Sequence, residues 1–512
     1  MEIREVAVVG LGTMGAGIAE VFARAGIGVV AIDIDPQALA RGMSVVEASL
    51  TRAVSRGKLS EADKDAILGR VRPAAGFSDA ARVDLAIEVV PERMEIKRQI
   101  FAELDRVCSP EAILATNTSS LSVTSIASQT RDPDRVIGLH FFNPAPVMRL
   151  VEVVSTVVTA DGLADGMAAL VRRLGKTPVE VADRAGFVAN ALLLPYLNHA
   201  IRLLETGYAS REDIDTAATA GIGLPMGPLA LLDLIGLDTS LSILEVLGGE
   251  FGGSRYAPAA LLRRLVSSGR TGRKSGEGIY RYRDAAGTQD DSAREGNGAV
   301  GPVPSTVTLI SSVRAADAEL ASAAAAAGVN ITRNPAHASD LVVIAAAPDE
   351  RVLPTAVEVG RAAQAVGLHL WGADLAEVVS TGLTGAHAAA SGAALAGRLG
   401  LAAVHAPDRP GFLVGALLYP HLADAVRMVQ DGYATVGDVD NAMTLGCGYP
   451  LGPFGLLDKV GSQVVLDGLR AMHSAYGDPA YAPPPLLAEH VAASLAFSEG
   501  SGASASRAST AG

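Results

Sequence analysis

A glycine-rich turn near the N-terminus limits the folds open to this 512-residue chain more than any other feature. A short apolar run is followed by Gly10, Gly12, Thr13, Met14 and Gly15, and then by a stretch with helical spacing. In a strand–turn–helix pattern of this kind, the first glycine permits the tight turn, the second lets a pyrophosphate approach, and the third lets helix and strand pack closely. The sequence therefore predicts a βαβ unit that binds a dinucleotide at a helix N-terminus.

Asp33 closes the second predicted strand, 18 residues after Gly15. A carboxylate in this position accepts hydrogen bonds from an adenosine ribose and repels a 2′-phosphate. We therefore expect NAD rather than NADP as the cofactor. FAD is the less favoured alternative, because flavoproteins use the same turn.

Apolar strands and helical stretches alternate up to residue 183, and the pattern then becomes mainly helical. Moreover, a segment that begins at Arg184 recurs without gaps from Arg409, an offset of 225, for more than fifty residues, with about half of the positions identical. The predicted fold class is an α/β Rossmann-type doubly wound sheet, an all-α domain, a degenerate Rossmann-like segment and a second copy of the helical domain. The predicted regions are a Rossmann domain (1–183), a helical domain (184–283), a linker (284–305), the degenerate domain (306–408), the second helical domain (409–491) and a disordered tail (492–512).

Composition excludes several classes of partner. The net charge of −13 and the pI near 5.2 argue against binding to nucleic acid or to an anionic membrane surface. The two cysteines, Cys108 and Cys447, are too few for a disulfide framework and lack the spacing of metal ligands. Because no signal peptide and no long apolar run is present, we expect a soluble cytoplasmic protein without a metal site.

The stretch "HFFNPAPVMRLVEV" holds the candidate reaction centre. A neutral imidazole, as on His140, suits the removal of a hydroxyl proton while hydride leaves carbon. A carboxylate on the other ring nitrogen would fix the tautomer, and Glu152 lies in an alternating stretch from which it can reach back. Polar groups are also needed to hold the substrate oxygen, and Asn117 and Ser119 follow a predicted strand in "ATNTSSLS". From these residues alone, a buried core histidine, a solvated carboxylate and helix-capping polar side chains remain alternatives.

These segments, with "GLGTMGAGIA", "GFVANALLLPYLNHA" and "GLPMGPLALLDLIG", resemble the 3-hydroxyacyl-CoA dehydrogenase family, over the chain from the N-terminus to about Tyr282. The resemblance implies that His140 is the catalytic base, that Glu152 orients it, and that Ser119 and Asn190 hold the substrate oxygen. The family's contacts to NAD fall on Asp33, Glu92, Lys97, Asn143 and Lys274. Asn117 is a further candidate for contact with NAD. Its acyl-CoA contacts fall on Ser49 and Arg56, the latter within a local basic patch with Arg52 and Lys58.

The second half departs from this pattern. Ser311 and Ser312 stand in place of the glycine turn, so we expect no dinucleotide there. Gly415 occupies the position that matches Asn190, and His405 is followed by neither an Asn-Pro pair nor a strand glutamate. The sequence therefore predicts one active site per chain. We expect the two helical copies to dock as an intramolecular pseudo-dimer, with a homo-oligomer as a further alternative.

The function predicted is reversible NAD-dependent oxidation of L-3-hydroxyacyl-CoA to 3-oxoacyl-CoA, in fatty-acid β-oxidation or in aromatic-acid (phenylacetate) degradation. The first alternative is a β-hydroxyacid dehydrogenase, which the absence of a lysine from "GFVANALLLPYLNHAIRLLE" disfavours. The second is a non-catalytic NAD-binding scaffold. Because the first strand begins the chain, no hydratase or isomerase activity is expected.

Overall fold

The computed structural model of this protein describes residues 2–283, 305–311, 314–334 and 341–498. Three parts of the predictions lie outside these residues: positions 284–304 of the linker, Ser312, and positions 499–512 of the tail. Among the helices that are described, none is long and apolar enough to cross a membrane.

Two mainly parallel sheets with helices form the framework. The eight-stranded sheet has the order β3-β2-β1-β4-β5-β6-β7-β8, and the six-stranded sheet has the order β10-β9-β11-β12-β13-β14. In each sheet one pair is antiparallel, β6 with β7 and β12 with β13. The strands are β1 Glu5–Val9, β2 Gly28–Ile32, β3 Val71–Ala74, β4 Leu85–Glu88, β5 Ile113–Thr116, β6 Val136–Phe141, β7 Leu150–Ser155, β8 Thr177–Ala182, β9 Thr306–Ser311, β10 Asn330–Thr332, β11 Val342–Ala345, β12 Ala365–Trp371, β13 Leu375–Ser380 and β14 Ala402–Pro407.

In the described part of the chain, twenty α-helices accompany the sheets, together with short 3-10 turns and two π-helical turns. The π-helical turns are Ala217–Ile222 and Ala442–Gly446. The α-helices are α1 Thr13–Arg24, α2 Pro36–Ser55, α3 Glu61–Leu68, α4 Met94–Val107, α5 Val123–Ala127, α6 Leu163–Arg173, α7 Ala189–Glu205, α8 Arg211–Thr216, α9 Pro228–Ile235, α10 Leu237–Phe251, α11 Gly253–Tyr256, α12 Ala260–Ser267, α13 Arg314–Ala326, α14 Val352–Glu358, α15 Ala386–Arg398, α16 Val414–Gln430, α17 Val436–Asn441, α18 Pro453–Val460, α19 Ser462–Tyr476 and α20 Pro485–Ala493.

The first compact unit comprises residues 1–191 and 432–452. Its central strands are apolar and buried on both faces, which is why they read as continuous hydrophobic runs rather than alternating ones. One continuous core joins these strands to α1 and α6. The strands β1, β4, β5 and β6 are parallel, so the segments that follow them meet at one edge of the sheet.

The second compact unit comprises the described residues within 192–431 and 453–498. It holds the six-stranded sheet and most of the helical residues. Residues 432–452, which lie within the predicted second helical domain (409–491), belong to the first unit in this grouping, and the domain bounds stay a prediction. The physical reason is packing: α17 and the second π-helical turn lie against β8 and β7.

The predicted disordered tail begins too early. Helix α20 continues to Ala493, and Phe497 is 1% exposed because its ring packs against Phe454, with centroids 5.0 Å apart. An aromatic side chain of this size gains substantial free energy from burial, which holds Phe497 in place.

Candidate active site

The glycine turn between β1 and α1 combines two crowded positions with one open position. Gly10 adopts φ +95°, and a Cβ there would lie 2.7 Å from the carbonyl oxygen of Val89. A Cβ on Gly15 would lie 1.8 Å from the carbonyl oxygen of Gly10, so helix and turn are in direct contact. A Cβ on Gly12, in contrast, would meet none of the described atoms within 4 Å. That open space at the N-terminus of α1, where Thr13 is exposed, fits a pyrophosphate.

Asp33 follows β2 and lies directly beside the glycine turn. One carboxylate oxygen accepts the N–H of Leu11 at 2.9 Å, and the other accepts the N–H of Asp35 at 3.0 Å. These two hydrogen bonds fix the half-buried carboxylate next to the turn. The position suits contact with the ribose of a bound dinucleotide.

Glu92, after β4, organises the loop that carries Ser119. Its Oε1 accepts the hydroxyl of Thr118 at 2.6 Å and the N–H of Ser119 at 2.9 Å, and Ser120 also donates to it. Burial opposes the charge on Glu92, but nearby Lys97 and the hydrogen bonds from the loop outweigh it, so its pKa lies below the usual range. The carboxylate is thus held ionised at the edge of the sheet.

Lys97, one of the predicted NAD contacts, lies in a buried ion-pair cluster. Its side chain is 1% exposed, and Nζ lies 2.8 Å from Glu88 and 3.3 Å from Glu92. Glu88, a residue that the sequence reasoning missed, is fully buried and also accepts the hydroxyl of Thr116. Lys97 thus supports Glu92 through its charge, and its contact with NAD stays a prediction.

Asn117 and Asn190 connect neighbouring segments at the same edge. The side-chain oxygen of Asn117 accepts the N–H of Phe141 at 2.8 Å, which ties the end of β5 to the end of β6. The side-chain amide of Asn190 donates to the carbonyl oxygen of Ser119 at 3.3 Å. The structure therefore brings Asn190, on the first turn of α7, to the loop of Ser119.

His140 and Glu152 form the buried pair at the centre of this edge. The two residues are register partners on β6 and β7, and the ring Nδ1 lies 2.7 Å from Oε2. Glu152 is fully buried, and its Oε1 accepts the N–H groups of Val188 and Ala189 at 3.0 Å each. The carboxylate thereby fixes both the histidine ring and the N-terminus of α7. This arrangement leaves the ring Nε2 to meet a substrate.

Two aromatic rings pack against His140, and a buried lysine fastens the loop that follows its strand. The ring of Phe142 lies 4.4 Å from the imidazole and that of Phe187 lies 5.7 Å away, centroid to centroid. Lys176 donates to the carbonyl oxygens of Ala145 and Met148, both at 2.6 Å, and so fastens the loop that follows β6. Burial lowers the pKa of Lys176 to about 8. No sequence motif marked Lys176, because its partners are backbone carbonyls.

The remaining predicted contacts stay predictions. Asn143 is exposed in the loop after β6, and Met14 is half-buried in the first turn of α1. Ser49 is half-buried on α2, and Arg56 is exposed at the C-terminal end of that helix. Lys274 belongs to the second unit, where its Nζ lies 2.6 Å from Asp238.

A second His–Glu pair, which sequence analysis missed, lies in the second unit. His369 Nδ1 lies 2.7 Å from Glu377 Oε2, and Glu377 Oε1 accepts the N–H groups of Leu413 and Val414 at 2.8 Å each. The sequence analysis considered His405 in this half and passed over His369 and its partner Glu377. A signal was present, because "GLH" and "EVVS" occur in both halves, but the connecting loop of the second half is shorter.

The surroundings of this second pair differ from those of the first. A Cβ on Gly415, the position matching Asn190, would lie 2.6 Å from the ring of Tyr419. In the described part of the second sheet, β11 pairs with both β9 and β12, so no strand takes the place of β5. The strand that Asn117 and Ser119 follow in the first sheet, β5, thus has no counterpart among the described strands there.

The site in the first unit defines a class of enzyme. A glycine turn that accommodates a dinucleotide and a His–Glu pair that can accept a proton lie at the same edge of one sheet. This combination is that of an NAD-dependent dehydrogenase that oxidises an alcohol.

Comparison with known families agrees with this class. The family model described as "3-hydroxyacyl-CoA dehydrogenase, NAD binding domain" matches residues 5–184. The model described as "3-hydroxyacyl-CoA dehydrogenase, C-terminal domain" matches twice, over residues 186–282 and 411–504. The chain belongs to the 3-hydroxyacyl-CoA dehydrogenase family.

Individual relatives cover either the whole chain or its first half. The 3-hydroxyadipyl-CoA dehydrogenase of Escherichia coli K12 is 34% identical over 95% of this chain and 97% of its own length. A 3-hydroxybutyryl-CoA dehydrogenase of Mycobacterium tuberculosis is 48% identical over 55% of this chain and 99% of its own length. The crystal structure of a 3-hydroxybutyryl-CoA dehydrogenase from E. coli K12 has a TM-score of 0.81 at 33% identity, covering 96% of this chain and 99% of that one.

Proposed function

We propose that the protein oxidises L-3-hydroxyacyl-CoA to 3-oxoacyl-CoA at the site in the first unit, with His140 as the general base. The observation that carries the proposal is the 2.7 Å contact between His140 Nδ1 and Glu152. Because Glu152 occupies Nδ1, the neutral ring presents the lone pair of Nε2 to the substrate hydroxyl. Nε2 takes the hydroxyl proton, and Glu152 stabilises the imidazolium that forms. NAD, when bound, supplies the acceptor for the hydride that leaves C3.

Ser119 and Asn190 are proposed to hold the substrate oxygen. Their proximity supports this role, because the side chain of Asn190 already donates to the backbone carbonyl of Ser119. The hydroxyl of Ser119 lies 3.3 Å from Glu92, which orients the loop rather than the substrate. Groups placed in advance of the reaction stabilise the developing oxygen charge without reorganisation.

The glycine turn and Asp33 are proposed to hold NAD, as the open space at Gly12 supports. Glu92, Lys97, Asn117, Asn143 and Lys274 are proposed as further contacts to the cofactor. For the acyl-CoA substrate we propose Ser49 and Arg56, because Arg56 lies among the exposed cations Arg52 and Lys58. Cations in such a group attract the phosphates of CoA.

The test is NAD reduction by the full-length chain with 3-hydroxybutyryl-CoA and 3-hydroxyadipyl-CoA. His140→Ala should lower kcat by about three orders of magnitude or more while the Kd for NAD stays unchanged. The matched control is His369→Ala, which removes the second histidine and should leave kcat intact. Loss of NAD binding with activity in His140→Ala, or an equal loss of kcat in the control, would contradict the proposed role.

We also propose that the helical segments are duplicated and dock as an intramolecular pseudo-dimer. The repeat positions Tyr196 and His421 differ by the repeat offset of 225, and their rings lie 5.0 Å apart within the second unit. Equivalent residues that contact each other are expected where a two-fold axis passes through an interface. His199 also contacts the carbonyl oxygen of Ala416 at 2.9 Å. Sedimentation of the full-length chain at monomer mass would agree with this arrangement, whereas a stable homodimer would favour the alternative.

The relatives named above act on substrates of different length, one with a second carboxylate. We propose a role in fatty-acid β-oxidation or in aromatic-acid degradation, to be assigned by the ratio of kcat/KM for the two substrates. A reducing compartment, the cytoplasm, is proposed because Cys108 and Cys447 are both free.

A further inference from the structure

The second π-helical turn, Ala442–Gly446, lies against the strand that carries Glu152 in the first unit. A Cβ added to Gly446 would lie 2.5 Å from Cδ2 of Leu150 and 3.3 Å from Cε1 of Phe142. Gly446 is helical, so its backbone conformation does not itself demand glycine. The space at this position is what excludes a side chain.

Phe142 links this contact to the proposed base. Its ring centroid lies 4.4 Å from that of His140, and the two rings are tilted by 53°. The imidazole is held at one nitrogen by Glu152 and packed by Phe142 and Phe187. A displacement of Phe142 would therefore move the ring whose Nε2 must meet the substrate.

The neighbours of Gly446 support the same placement. Burial, and then the charge of Glu152, raise the pKa of Cys447 to about 12. The hydroxyl of Tyr433 donates to the carbonyl oxygen of Ala182 at 2.9 Å, where β8 ends. Residues 432–452 are thus held at both β7 and β8.

We propose that Gly446 is a positioning residue for the reaction in the first unit. It comes from the second half of the chain, and it sets the place of His140 by leaving room for Phe142 and Leu150. The inference rests on the proposed role of His140 as base. It gives the second half a part in catalysis although the second sheet lacks a counterpart of β5 among its described strands.

The chain offers a matched control at Gly221, the repeat equivalent of Gly446. Gly221 lies in the first π-helical turn, and its added Cβ would lie 2.8 Å from Cδ2 of Leu375 and 3.5 Å from Cδ1 of Trp371. Trp371 in turn contacts His369, with ring centroids 5.7 Å apart. A substitution at Gly221 therefore imposes a similar crowding on the pair to which no catalytic role is assigned.

The experiment compares Gly446→Val with Gly221→Val in the full-length chain. Gly446→Val should lower kcat about 100-fold, because a displacement of about 1 Å suffices for such a loss. The Kd for NAD should stay unchanged, and Gly221→Val should keep its kcat. Gly446→Ala, with its smaller side chain, should lower kcat less, and it serves as the test if the valine variant does not fold.

A second-site change separates positioning from general destabilisation. Leu150→Ala removes the nearest obstructing atoms, so Gly446→Ala with Leu150→Ala should regain most of the kcat that Gly446→Ala loses. Unchanged kcat in both Gly446 variants, or equal losses at Gly221 and Gly446, would overturn the inference. If His140→Ala itself retains activity, the proposed function fails instead, so the two failures are distinguishable.

Discussion

His140 and Glu152 stand opposite each other on antiparallel strands, and the glutamate uses its two oxygens for different partners. Oε2 lies 2.7 Å from the imidazole Nδ1, whereas Oε1 accepts two backbone N–H groups at the start of α7. His369 and Glu377 repeat this division of contacts in the second unit. The two glutamates therefore share a structural role, and we assign a catalytic role only to Glu152.

Glu152→Gln should lower kcat by about a thousandfold or more, because an amide N–H facing Nδ1 favours the wrong tautomer of His140. Glu377→Gln should leave kcat unchanged. Both variants should lose about 1–3 kcal/mol of stability, since each loses hydrogen bonds to a buried charge. The measurements are steady-state kinetics and urea unfolding. Equal kcat losses in the two variants would refute the separation of roles.

Two alanine substitutions in the glycine turn should have different consequences. Gly12→Ala adds a methyl group in open space, so we expect an unchanged Tm and a Kd for NAD raised about tenfold or more. Gly15→Ala forces a Cβ to within 1.8 Å of the carbonyl oxygen of Gly10, so the fold itself should lose stability. Thermal unfolding and NAD titration distinguish the two effects. A large loss of Tm in Gly12→Ala would show that the space is not open.

Lys97→Met should destabilise the chain by about 3–5 kcal/mol, because Glu88 would remain buried without its cation. The double variant Lys97→Met with Glu88→Gln should recover part of this loss, since no unpaired charge is then left in the core. Urea unfolding of the single and double variants measures the coupling. Additive losses would indicate that the pair contributes no coupling energy.

Asp215 should make stability depend on pH. Burial raises its pKa to about 6, although hydrogen bonds from Leu229, Tyr280 and Ala230 partly oppose the shift. The folded chain therefore keeps a proton between about pH 4 and 6 that the unfolded chain releases, so the stability contributed by this carboxyl falls as pH rises through 6. Asp215→Asn cannot ionise. Relative to that variant, the wild type should lose about 2 kcal/mol between pH 4.5 and 7 in urea unfolding; a constant difference would contradict the shift.

The sequence predicts features that depend on short patterns. The glycine turn, Asp33 and the spacing of His140 and Glu152 each follow from local composition and strand periodicity, and the structure brings His140 and Glu152 into contact. The partners of Lys97 were not predictable in this way. A lysine that fits an NAD contact by resemblance proves to be buried against Glu88, because burial is decided by the packing of α4 rather than by sequence spacing.

Two other features could not be predicted from the sequence, because each depends on a separation along the chain that local patterns do not reveal. The second His–Glu pair is spaced by eight residues rather than twelve, so a comparison at the constant offset of 225 aligns Glu377 with Glu152 but passes over His369. The packing of residues 432–452 in the first unit joins segments separated by hundreds of residues. No local pattern specifies such a contact.

The six-stranded sheet limits how a second substrate site could arise in this chain. Replacing Gly415 with asparagine would not restore the missing side chain, because Tyr419 occupies the space that its Cβ needs. Even with Tyr419 shortened, no strand between β11 and β12 would present a serine to the substrate oxygen. Among the described strands, a substrate site like that of the first unit would therefore need an inserted strand between β11 and β12 in addition to single substitutions.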